Sequence, residues 1–298
     1  MNRITSIGEI LFDVYRDGKT PGGAPFNFLY HIKKLTGEGN FVSRVGNDKE
    51  GVEIINLLKE NNLSTEYLQI DSEHPTGEAT PTLDEKKIPS WNIKNNAAYD
   101  FIELTGELKE LIAFKTDCLY FGTLAQRNAI SGNTIHRLFY KDLIYFCDLN
   151  IRQNFYTKDL IMECISASDI LKLNTDELRL LNELILNKNF DPYDTPRRLM
   201  NEYEIKLLCV TEGDQGASLF NKNEVNHFKT DIDNVVDTVG AGDAYAAILC
   251  IGYLQKWNIE KINHIASEFA GEIVKINGAI PEDSQIYYKF KSIINSPN

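Results

Sequence analysis

The sequence lacks the cysteine patterns and long apolar runs that mark several protein classes. Its five cysteines include no C-x-x-C pair and its five histidines show no zinc-ligand spacing, so buried reduced thiols are expected rather than disulfides or a zinc centre. No stretch approaches the roughly 18 apolar residues that cross a bilayer. The first residues also lack a charged segment followed by a long apolar one. We therefore expect a cytoplasmic protein with no membrane partner.

Basic residues are scarce as well. The chain has 31 lysines and arginines against 43 acidic residues, which gives a net charge of −12. Nucleic-acid binding needs a basic face for the phosphate backbone, so nucleic acid is not an expected partner. A phosphorylated ligand would have to be held locally, by backbone N–H groups at a helix start, a metal ion, or one or two basic side chains.

Short apolar runs alternate with amphipathic stretches along the 298 residues. Six runs predict strands: ITSIGEILFDV, GNFVSRVG, CLYFGTLA, LIYFCDLN, DILKLN and LLCVTEG. Stretches between them, such as PFNFLYHIKKL and residues 48–61, have the spacing of helices. This alternation predicts one α/β domain over residues 1–298, with a mostly parallel central sheet and helices on both faces. Ligands of such sheets bind at the carboxyl ends of the strands.

Residues 76–100 depart from this alternation. Two β-type pieces flank the turn-like DEKK, and Pro81 and Pro89 make these pieces unsuited to the centre of a sheet. A hairpin that projects from the main sheet is expected here. Together with residues 10–22 it would form a small β lid over a ligand. Exposed strand edges pair readily, so a homodimer through this lid is a further expectation.

The sharpest local feature is the string DTVGAGD at residues 237–243, followed by the apolar segment AYAAILCIGYLQKW. That segment predicts a buried helix, and the Gly-Ala-Gly turn before it exposes backbone N–H groups with no side chain in the way. The positive end of the helix dipole adds to them, so Gly240, Ala241 and Gly242 are expected to bind a phosphate. The string is not a Walker A loop. It is not a dinucleotide G-x-G-x-x-G motif either, because Tyr245 stands at the third glycine.

Asp243 is the unusual member of this string. A site made only to bind an anion would not place a carboxylate beside it. Nearby negative charge raises the pKa of a carboxylate and makes it a better proton acceptor. Asp243 could thus take the proton of an attacking hydroxyl while the N–H groups hold the charge on a transferred phosphoryl group. The alternative, from the residues alone, is that Asp243 caps its helix.

The D-T-x-G-A-G-D string resembles the C-terminal signature of the ribokinase-like (PfkB) carbohydrate kinases, and the resemblance extends over nearly the whole chain. Further matches are GEILFDV, PGGAPFNF, SRVGNDKEG, LKLNTDEL and VTEGDQGA, in chain order. The resemblance implies a ribokinase-like three-layer αβα sandwich with a small β lid. It also implies a phosphotransferase with an alcohol group as acceptor, which transfers the γ-phosphoryl group of ATP to a small sugar.

Within this family the sequence is most similar to the fructokinases, through segments such as PTGEATPTLDEKKIPSWNI, FGTLAQR, DLNIRQNFY and NGAIPE. This likeness implies fructose as the acceptor and a primary hydroxyl as the group phosphorylated. DLN stands where fructokinases usually show D-P-N. The implied sugar-binding residues are Asp13, Gly22, Gly23, Asn27, Tyr99, Arg152 and Asp243.

The resemblance also assigns the nucleotide and its ions. The implied ATP-binding residues are Asn174, Thr211, Glu212, Gly213, Gly216, Thr238, Gly240 and Gly242. Glu177 would organise Mg²⁺ through water. A K⁺ ion would be bound beside the anion site by Asp237, Val239, Ile273, Ile276 and Gly278. Glu282 stands where a serine is common and Glu212 is an acidic residue near the nucleotide, so the need for K⁺ and the choice of nucleotide stay open.

Most of these residues also have plain structural interpretations. The glycine pair at 22–23 could be a turn after a proline, Asp13 a solvated strand end and 211–216 an ordinary hairpin loop. Arg127 and Arg152 could simply pair with local acids. Two other functions also stay open: a kinase for ribose, 2-keto-3-deoxygluconate or a nucleoside, and a non-catalytic sugar- or nucleotide-sensing protein on the same fold. The intact Gly-Ala-Gly-Asp string favours the enzyme.

Overall fold

A computed structural model describes residues 2–83, 89–140 and 143–296. A nine-stranded sheet forms the centre, in the order β13-β12-β11-β10-β9-β8-β1-β4-β5. Its pairs are parallel from β10–β11 through β4–β5, and only the β11–β12 and β12–β13 pairs are antiparallel. The strands are β1 Ile4–Ile7, β4 Asn40–Gly46, β5 Leu68–Asp71, β8 Cys118–Phe121, β9 Ile144–Asp148, β10 Ile170–Asn174, β11 Leu207–Thr211, β12 Ala217–Asn221 and β13 Val225–Phe228.

Helices cover both faces of this sheet. They are α1 Ala24–Thr36, α2 Lys49–Glu60, α3 Gly106–Lys115, α4 Ala129–His136, α5 Lys158–Ser166, α6 Thr175–Leu181, α7 Asp194–Tyr203, α8 Ala241–Leu254, α9 Ile259–Ile273 and α10 Ile286–Asn295. Within the described residues, no helix combines the length and apolar character that crossing a membrane requires.

Two hydrophobic cores lie on opposite faces of the central sheet, and successive residues of a strand enter them in turn. In β8, Cys118 and Tyr120 belong to the core under α1, α2, α8, α9 and α10, whereas Leu119 and Phe121 belong to the core under α3 to α7. The central strands are apolar at nearly every position because both of their faces are covered. This arrangement confirms the predicted three-layer αβα sandwich with a mostly parallel sheet.

A second sheet of four strands, in the order β3-β2-β6-β7, lies outside the sandwich. Its strands are β2 Leu11–Tyr15, β3 Gly18–Gly22, β6 Gly77–Leu83 and β7 Pro89–Ile93. The turn expected at DEKK lies outside the described residues. Residues 98–101 form a 3₁₀ helix beyond the last strand, so Tyr99 is not on a strand of the second sheet.

The structure corrects two details of the predicted strands. ITSIGEILFDV is not one strand, because the chain breaks at Gly8, where φ is +149°, and then enters the second sheet. Pro81 does lie in an interior strand, contrary to expectation. It is tolerated because β2 pairs with β6 only as far as Ala79. At Pro81 no backbone hydrogen bond to β2 is therefore lost through the missing N–H.

Candidate active site

The carboxyl ends of β1, β8, β9, β10 and β11 meet the amino ends of α1 and α8 at one edge of the central sheet. This edge is where open α/β sheets bind their ligands. Most of the residues predicted to act on a sugar or a phosphate come together here.

The turn before α8 is the predicted anion site and contains Gly240, Ala241 and Gly242. Gly240 is the N-cap residue of α8 and has a left-handed backbone with φ +79°. A Cβ on Gly240 would overlap the Cβ of Ala279 and lie 2.5 Å from its Cα, so only glycine fits. The first backbone N–H groups of a helix have no partner within the helix. Those at residues 241–243 lie at the positive end of α8, a position that favours an anion, and the Ala241 N–H donates to the Thr238 carbonyl at 3.4 Å.

Asp243 lies in the first turn of α8, and its carboxylate does not cap the helix. The N-cap position belongs to Gly240, and the Oδ2 atom of Asp243 accepts a hydrogen bond of 2.8 Å from Nδ2 of Asn27. Removal from water, with the nearby Asp148 carboxylate, raises the pKa of Asp243 to about 6, against the opposing effects of Lys172 and the Asn27 hydrogen bond. Asp243 is thus ionised at neutral pH and able to accept a proton.

A buried ion pair lies beneath this helix end. Lys172 on β10 donates to Oδ2 of Asp148 at 2.8 Å, and the Tyr120 hydroxyl donates to the same oxygen at 3.0 Å. Lys172 and Asp148 are only 6% and 2% exposed. The sequence analysis assigned neither residue. The available signal was a charged residue between apolar neighbours in each of the runs DILKLN and LIYFCDLN.

The predicted sugar-binding residues of the N-terminal segment surround the amino end of α1. Gly22 packs on Asp13, since a Cβ there would lie 2.5 Å from the Oδ2 atom of Asp13. Gly23 is the N-cap of α1 with φ +110°, and a Cβ there would lie 2.6 Å from the carbonyl oxygen of Glu9. The two glycines therefore allow close packing and are more than a loose turn. Burial raises the pKa of Asp13 to about 6.

Glu9 was missed by the sequence analysis. It lies in the break between β1 and β2, is 2% exposed, and its Oε2 atom has no hydrogen-bond partner. Burial raises its pKa to about 7, against the positive charges of Arg152 and Arg127. Arg152 lowers the pKa of Glu9, Asp13 and Asp243 alike, so its positive charge acts on all three carboxyl groups.

Arg152 itself is exposed, and its side chain makes no hydrogen bond or ion pair with the residues that the structure describes. Its loop is held from below by Glu177, which is buried. One carboxylate oxygen of Glu177 accepts from the backbone N–H of Ile151 at 2.6 Å and the other from Asn174 at 2.8 Å. The Asn174 side chain in turn accepts from the backbone N–H of Glu177 at 2.9 Å. Glu177 and Asn174 thus join the loop after β9 to the start of α6.

Arg127 and Tyr99 form a second buried pair next to this cluster. Arg127 donates to both oxygens of Asp100 at 2.8 Å and to the Tyr99 hydroxyl at 3.0 Å. Tyr99 is fully buried, with its ring against Gly77 at the start of β6. Tyr99 therefore supports the root of the second sheet in this structure, and its hydroxyl is turned to Arg127.

A cleft of about 740 Å³ extends from the anion site towards α9. The predicted nucleotide-binding residues that line it are Thr211, Gly213, Gly216, Thr238 and Gly242. Its far wall, which the sequence analysis missed, consists of the small residues Ser267, Ala270 and Gly271 of α9. Asn174, Glu212 and Gly240 are not among the lining residues. The Glu212 carboxylate turns away and accepts from the Ser218 hydroxyl at 2.6 Å.

The residues predicted for K⁺ lie in two loops that Asp237 holds together. Its Oδ1 atom accepts from the backbone N–H of Val239 and its Oδ2 atom from that of Gly278, both at 3.0 Å. The carbonyl oxygen of Ile273 accepts from the Ile276 N–H at 3.2 Å. These bonds assemble the loops beside the anion site, and K⁺ binding stays a prediction.

Among the described residues, no group of three or more histidine, cysteine or acidic side chains could hold a metal ion. Mg²⁺ in phosphoryl-transfer enzymes is usually held by one or two carboxylates and the substrate phosphates rather than by a protein cage. The site therefore fits an Mg²⁺ ion that is bound largely by the nucleotide, and Glu177 stays a predicted partner through water.

Comparison with known proteins identifies the family of the chain. The family model described as pfkB family carbohydrate kinase matches residues 2–285. Probable fructokinase-6, chloroplastic, of Arabidopsis thaliana is 28% identical over 93% of this chain and 75% of its own length. The ATP-dependent 6-phosphofructokinase of Thermoanaerobacterium thermosaccharolyticum is 28% identical over 93% of this chain and 89% of its own length.

A solved structure shares the fold. A double mutant of the fructokinase of Vibrio cholerae O395, in a form with fructose, ADP and potassium ion bound, superposes with a TM-score of 0.79 at 22% identity, over 94% of both chains. The family model spans both the second sheet and the anion site. The chain therefore belongs to the pfkB family of carbohydrate kinases and is a sugar phosphotransferase with the ribokinase-like fold.

Proposed function

We propose that this kinase transfers the γ-phosphoryl group of ATP to a primary hydroxyl of fructose, with Asp243 as the general base. The observation that carries the proposal is the hydrogen bond of 2.8 Å between Asn27 on α1 and Asp243 on α8. It joins the sugar-binding signature to the anion site and directs an ionised carboxylate to the point where the two meet.

The donor side is suited to a nucleotide triphosphate. The cleft of about 740 Å³ lies within the range of small-molecule sites and opens onto Gly242 at the start of α8. A nucleotide with its base against Ser267, Ala270 and Gly271 would place its phosphates at the amino end of the helix. The Vibrio cholerae relative, solved with ADP, supports a nucleotide in this cleft.

The acceptor side is suited to an uncharged sugar. Glu9, Asp13 and Asp243 contribute three carboxyl groups, and Arg152 is the nearby cation without an ion-pair partner in the described chain. Carboxylates bind sugar hydroxyls by accepting hydrogen bonds, and they repel a sugar acid or a sugar phosphate. The curated relatives named as fructokinases support fructose among the neutral sugars.

The chemical step follows from these positions. Asp243 takes the proton of the sugar hydroxyl, whose oxygen attacks the γ-phosphorus in line with the bond to the leaving ADP. The backbone N–H groups at the start of α8, residues 240–243, stabilise the negative charge on the transferred group. Mg²⁺, when bound with the nucleotide, neutralises charge on the phosphates. K⁺ bound by the 237–239 and 273–278 loops would hold the backbone of the anion site in position.

The second sheet is proposed as the lid over the sugar. Its strand β2 carries Asp13, and its strand β3 ends at Gly22. Closure of residues 10–22 and 76–100 would therefore bring these sugar-binding residues onto the sugar and exclude water at the same time. Water competes with the sugar as phosphoryl acceptor, which makes such exclusion useful.

A homodimer through the edges of this sheet stays part of the proposal, and light scattering of the purified protein tests it.

The substrate assignment has a direct test. We expect kcat/KM for fructose to exceed that for ribose, 2-keto-3-deoxygluconate, adenosine and fructose 6-phosphate by at least about tenfold, since one lost polar contact costs about that much. A coupled ADP-release assay, with and without K⁺, measures it. A preference for fructose 6-phosphate, the substrate named by the Thermoanaerobacterium relative, would change the assigned acceptor to a sugar phosphate. Arg152 would then be the residue that binds its phosphate. Binding of sugar without any ADP release would instead support the sensing protein.

The pH dependence tests the base. Asp243 must be unprotonated to accept the proton, and its pKa is raised to about 6, so kcat should fall tenfold per unit of pH below about 6. Asp13 and Glu9, with pKa values raised to about 6 and about 7, should make the fall in kcat/KM for the sugar steeper than that in kcat. Steady-state kinetics between pH 5 and 8 measure both slopes. A kcat that stays constant down to pH 5 would contradict the role of Asp243.

A further inference from the structure

We propose that Lys172 is a further catalytic residue, whose ammonium group provides a fixed positive charge that contacts the transferred phosphoryl group through the opening above Gly242. The inference rests on the anion site proposed at residues 240–243. It adds a side-chain cation to a site that otherwise consists of backbone N–H groups.

The position of Lys172 supports this role. It extends from β10 to the underside of the first turn of α8, where a Cβ on Gly242 would lie 3.4 Å from its Nζ atom. Gly242 has no side chain, so nothing on that residue separates the ammonium from a phosphate above the turn. Asp243 lies next in the sequence, and its pKa is lowered by the charge of Lys172. The lysine thus lies between the anion site and the proposed base.

The charge of Lys172 is secured by its surroundings. Burial alone would lower its pKa, but Asp148 and the more distant Asp243 raise it above the ordinary value. One carboxylate oxygen of Asp148 binds both Lys172 and the Tyr120 hydroxyl, so the ammonium is held in one place. An ammonium has three N–H donors, and the hydrogen bond to Asp148 occupies one of them. The other two make no hydrogen bond with the residues that the structure describes, so they can bind phosphate oxygens.

The donor cleft is poor in positive charge, and Lys172 is not among its lining residues but lies beneath one of them, Gly242. Its lining residues include Asp214, Asp231 and Asp233 but one lysine, Lys229. Arg152 is exposed and lies on the sugar side. During transfer the bond from the β,γ-bridging oxygen to phosphorus breaks as the bond from the sugar oxygen forms, and the sugar proton passes to Asp243. Lys172 keeps its own proton throughout and stabilises the charge by its position.

A structural role is the competing explanation, because a buried lysine–aspartate pair can simply hold β9 and β10 together. Removing one partner leaves an unpaired buried charge, which destabilises a protein strongly. The comparison is therefore between Asp148→Asn, whose amide oxygen can still accept a hydrogen bond from the ammonium, and the double variant Asp148→Asn/Lys172→Met, with urea unfolding to establish that both are folded. Methionine has a similar length, and asparagine needs no cation, so the double variant should fold.

In the double variant we expect kcat to fall by about 10²-fold or more relative to Asp148→Asn, as for other electrostatic donors at a reacting centre. The KM for ATP should change by less than about fivefold, since the contact strengthens in the transition state. The control is Lys206→Met: Lys206 pairs with Asp169 at 2.7 Å near the opposite ends of the strands. Its kcat should stay within about twofold of wild type.

A second measurement does not depend on which sugar is the acceptor or on proton transfer. Isothermal titration compares the affinity for MgADP alone with that for MgADP plus aluminium fluoride, which mimics the transferred group. The double variant should lose at least about tenfold more affinity for the second than for the first, relative to Asp148→Asn. Equal losses, or a kcat within about threefold of that of Asp148→Asn, would overturn the inference. Failure of Asp243 as base would appear separately, as an active Asp243→Asn enzyme.

The two substitutions should also shift the acid limb of the kcat–pH profile in opposite directions. The charged or polar groups that act on Asp243 are Asp148, Lys172, Asn27, Arg152, Glu9 and Tyr120. Asp148→Asn removes a negative charge, which lowers the pKa of Asp243 and moves the limb to lower pH. Adding Lys172→Met removes a positive charge and moves the limb back to higher pH. A limb at the same pH in both variants would show that the lysine does not reach the site.

Discussion

Replacing Asp243 with asparagine is expected to lower kcat by about 10²–10⁴-fold, the usual contribution of a positioned general base. Asparagine can keep the contact with Asn27 and the shape of the helix start, but it cannot accept a proton at neutral pH. ATP binding should change little, because the nucleotide is held by the cleft and by backbone N–H groups. Turnover by ADP release and ATP affinity by titration measure the two effects on the same preparation.

The matched control is Asp159→Asn. Asp159 also lies in the first turn of a helix, α5, but it is exposed and has no assigned role in the site. Losing a first-turn carboxylate weakens a helix by about 0.3–1 kcal/mol through its dipole. If Asp243 served only its helix, both variants would show this small loss of stability and nearly wild-type turnover. An Asp243→Asn enzyme with kcat close to wild type would refute the proposed mechanism.

Replacing Gly240 with alanine is expected to damage both stability and turnover. An L-residue with Cβ in the left-handed region costs about 1–2 kcal/mol, and forcing atoms into a packed site adds about 1–3 kcal/mol. Here the new Cβ would meet the backbone of Ala279, so the turn must move. The N–H groups of residues 241–243 would then shift, and we expect kcat to fall by roughly 10²-fold.

Gly37→Ala separates backbone strain from the loss of fit. Gly37 ends α1 with φ +82°, and a Cβ there meets no atom within 4 Å. It should lose about 1–2 kcal/mol from backbone strain alone and keep its turnover. Urea unfolding and the ADP-release assay compare the two variants. Equal losses of stability, with turnover kept in both, would show that the contact of Gly240 with Ala279 does not position the anion site.

Local sequence patterns predicted the strands and helices well where one physical effect dominated. The runs in β8, β9, β10 and β11 are apolar because both faces of the central sheet are covered, and the Gly-Ala-Gly turn reveals a helix start that only small residues allow. The break at Gly8 was not predicted, because the surrounding apolar residues suit either sheet. Pro81 was misjudged because its tolerance depends on where the neighbouring strand ends.

The site itself was predicted unevenly, for a related reason. The glycines and Asp243 belong to one short string, and their roles follow from backbone geometry within a few residues. Lys172 and Glu9 were missed because a charged residue in an apolar run shows only that another group must compensate its buried charge. It does not show which group. The partner of Lys172 lies on β9, the neighbouring strand. Glu212 was read as a neighbour of the nucleotide, yet its carboxylate is hydrogen-bonded to Ser218.

By itself, the amino-acid order determined the layered α/β architecture, the position of the helix start that is proposed to bind phosphate and the family of the chain. Only the tertiary structure decided which polar groups meet, such as Asn27 and Asp243, which are 216 residues apart, or Lys172 beneath Gly242. Glycine conformations and hydrophobic periodicity act over a few residues and can be read locally. The meeting of distant side chains depends on strand order and helix packing, which no short segment specifies.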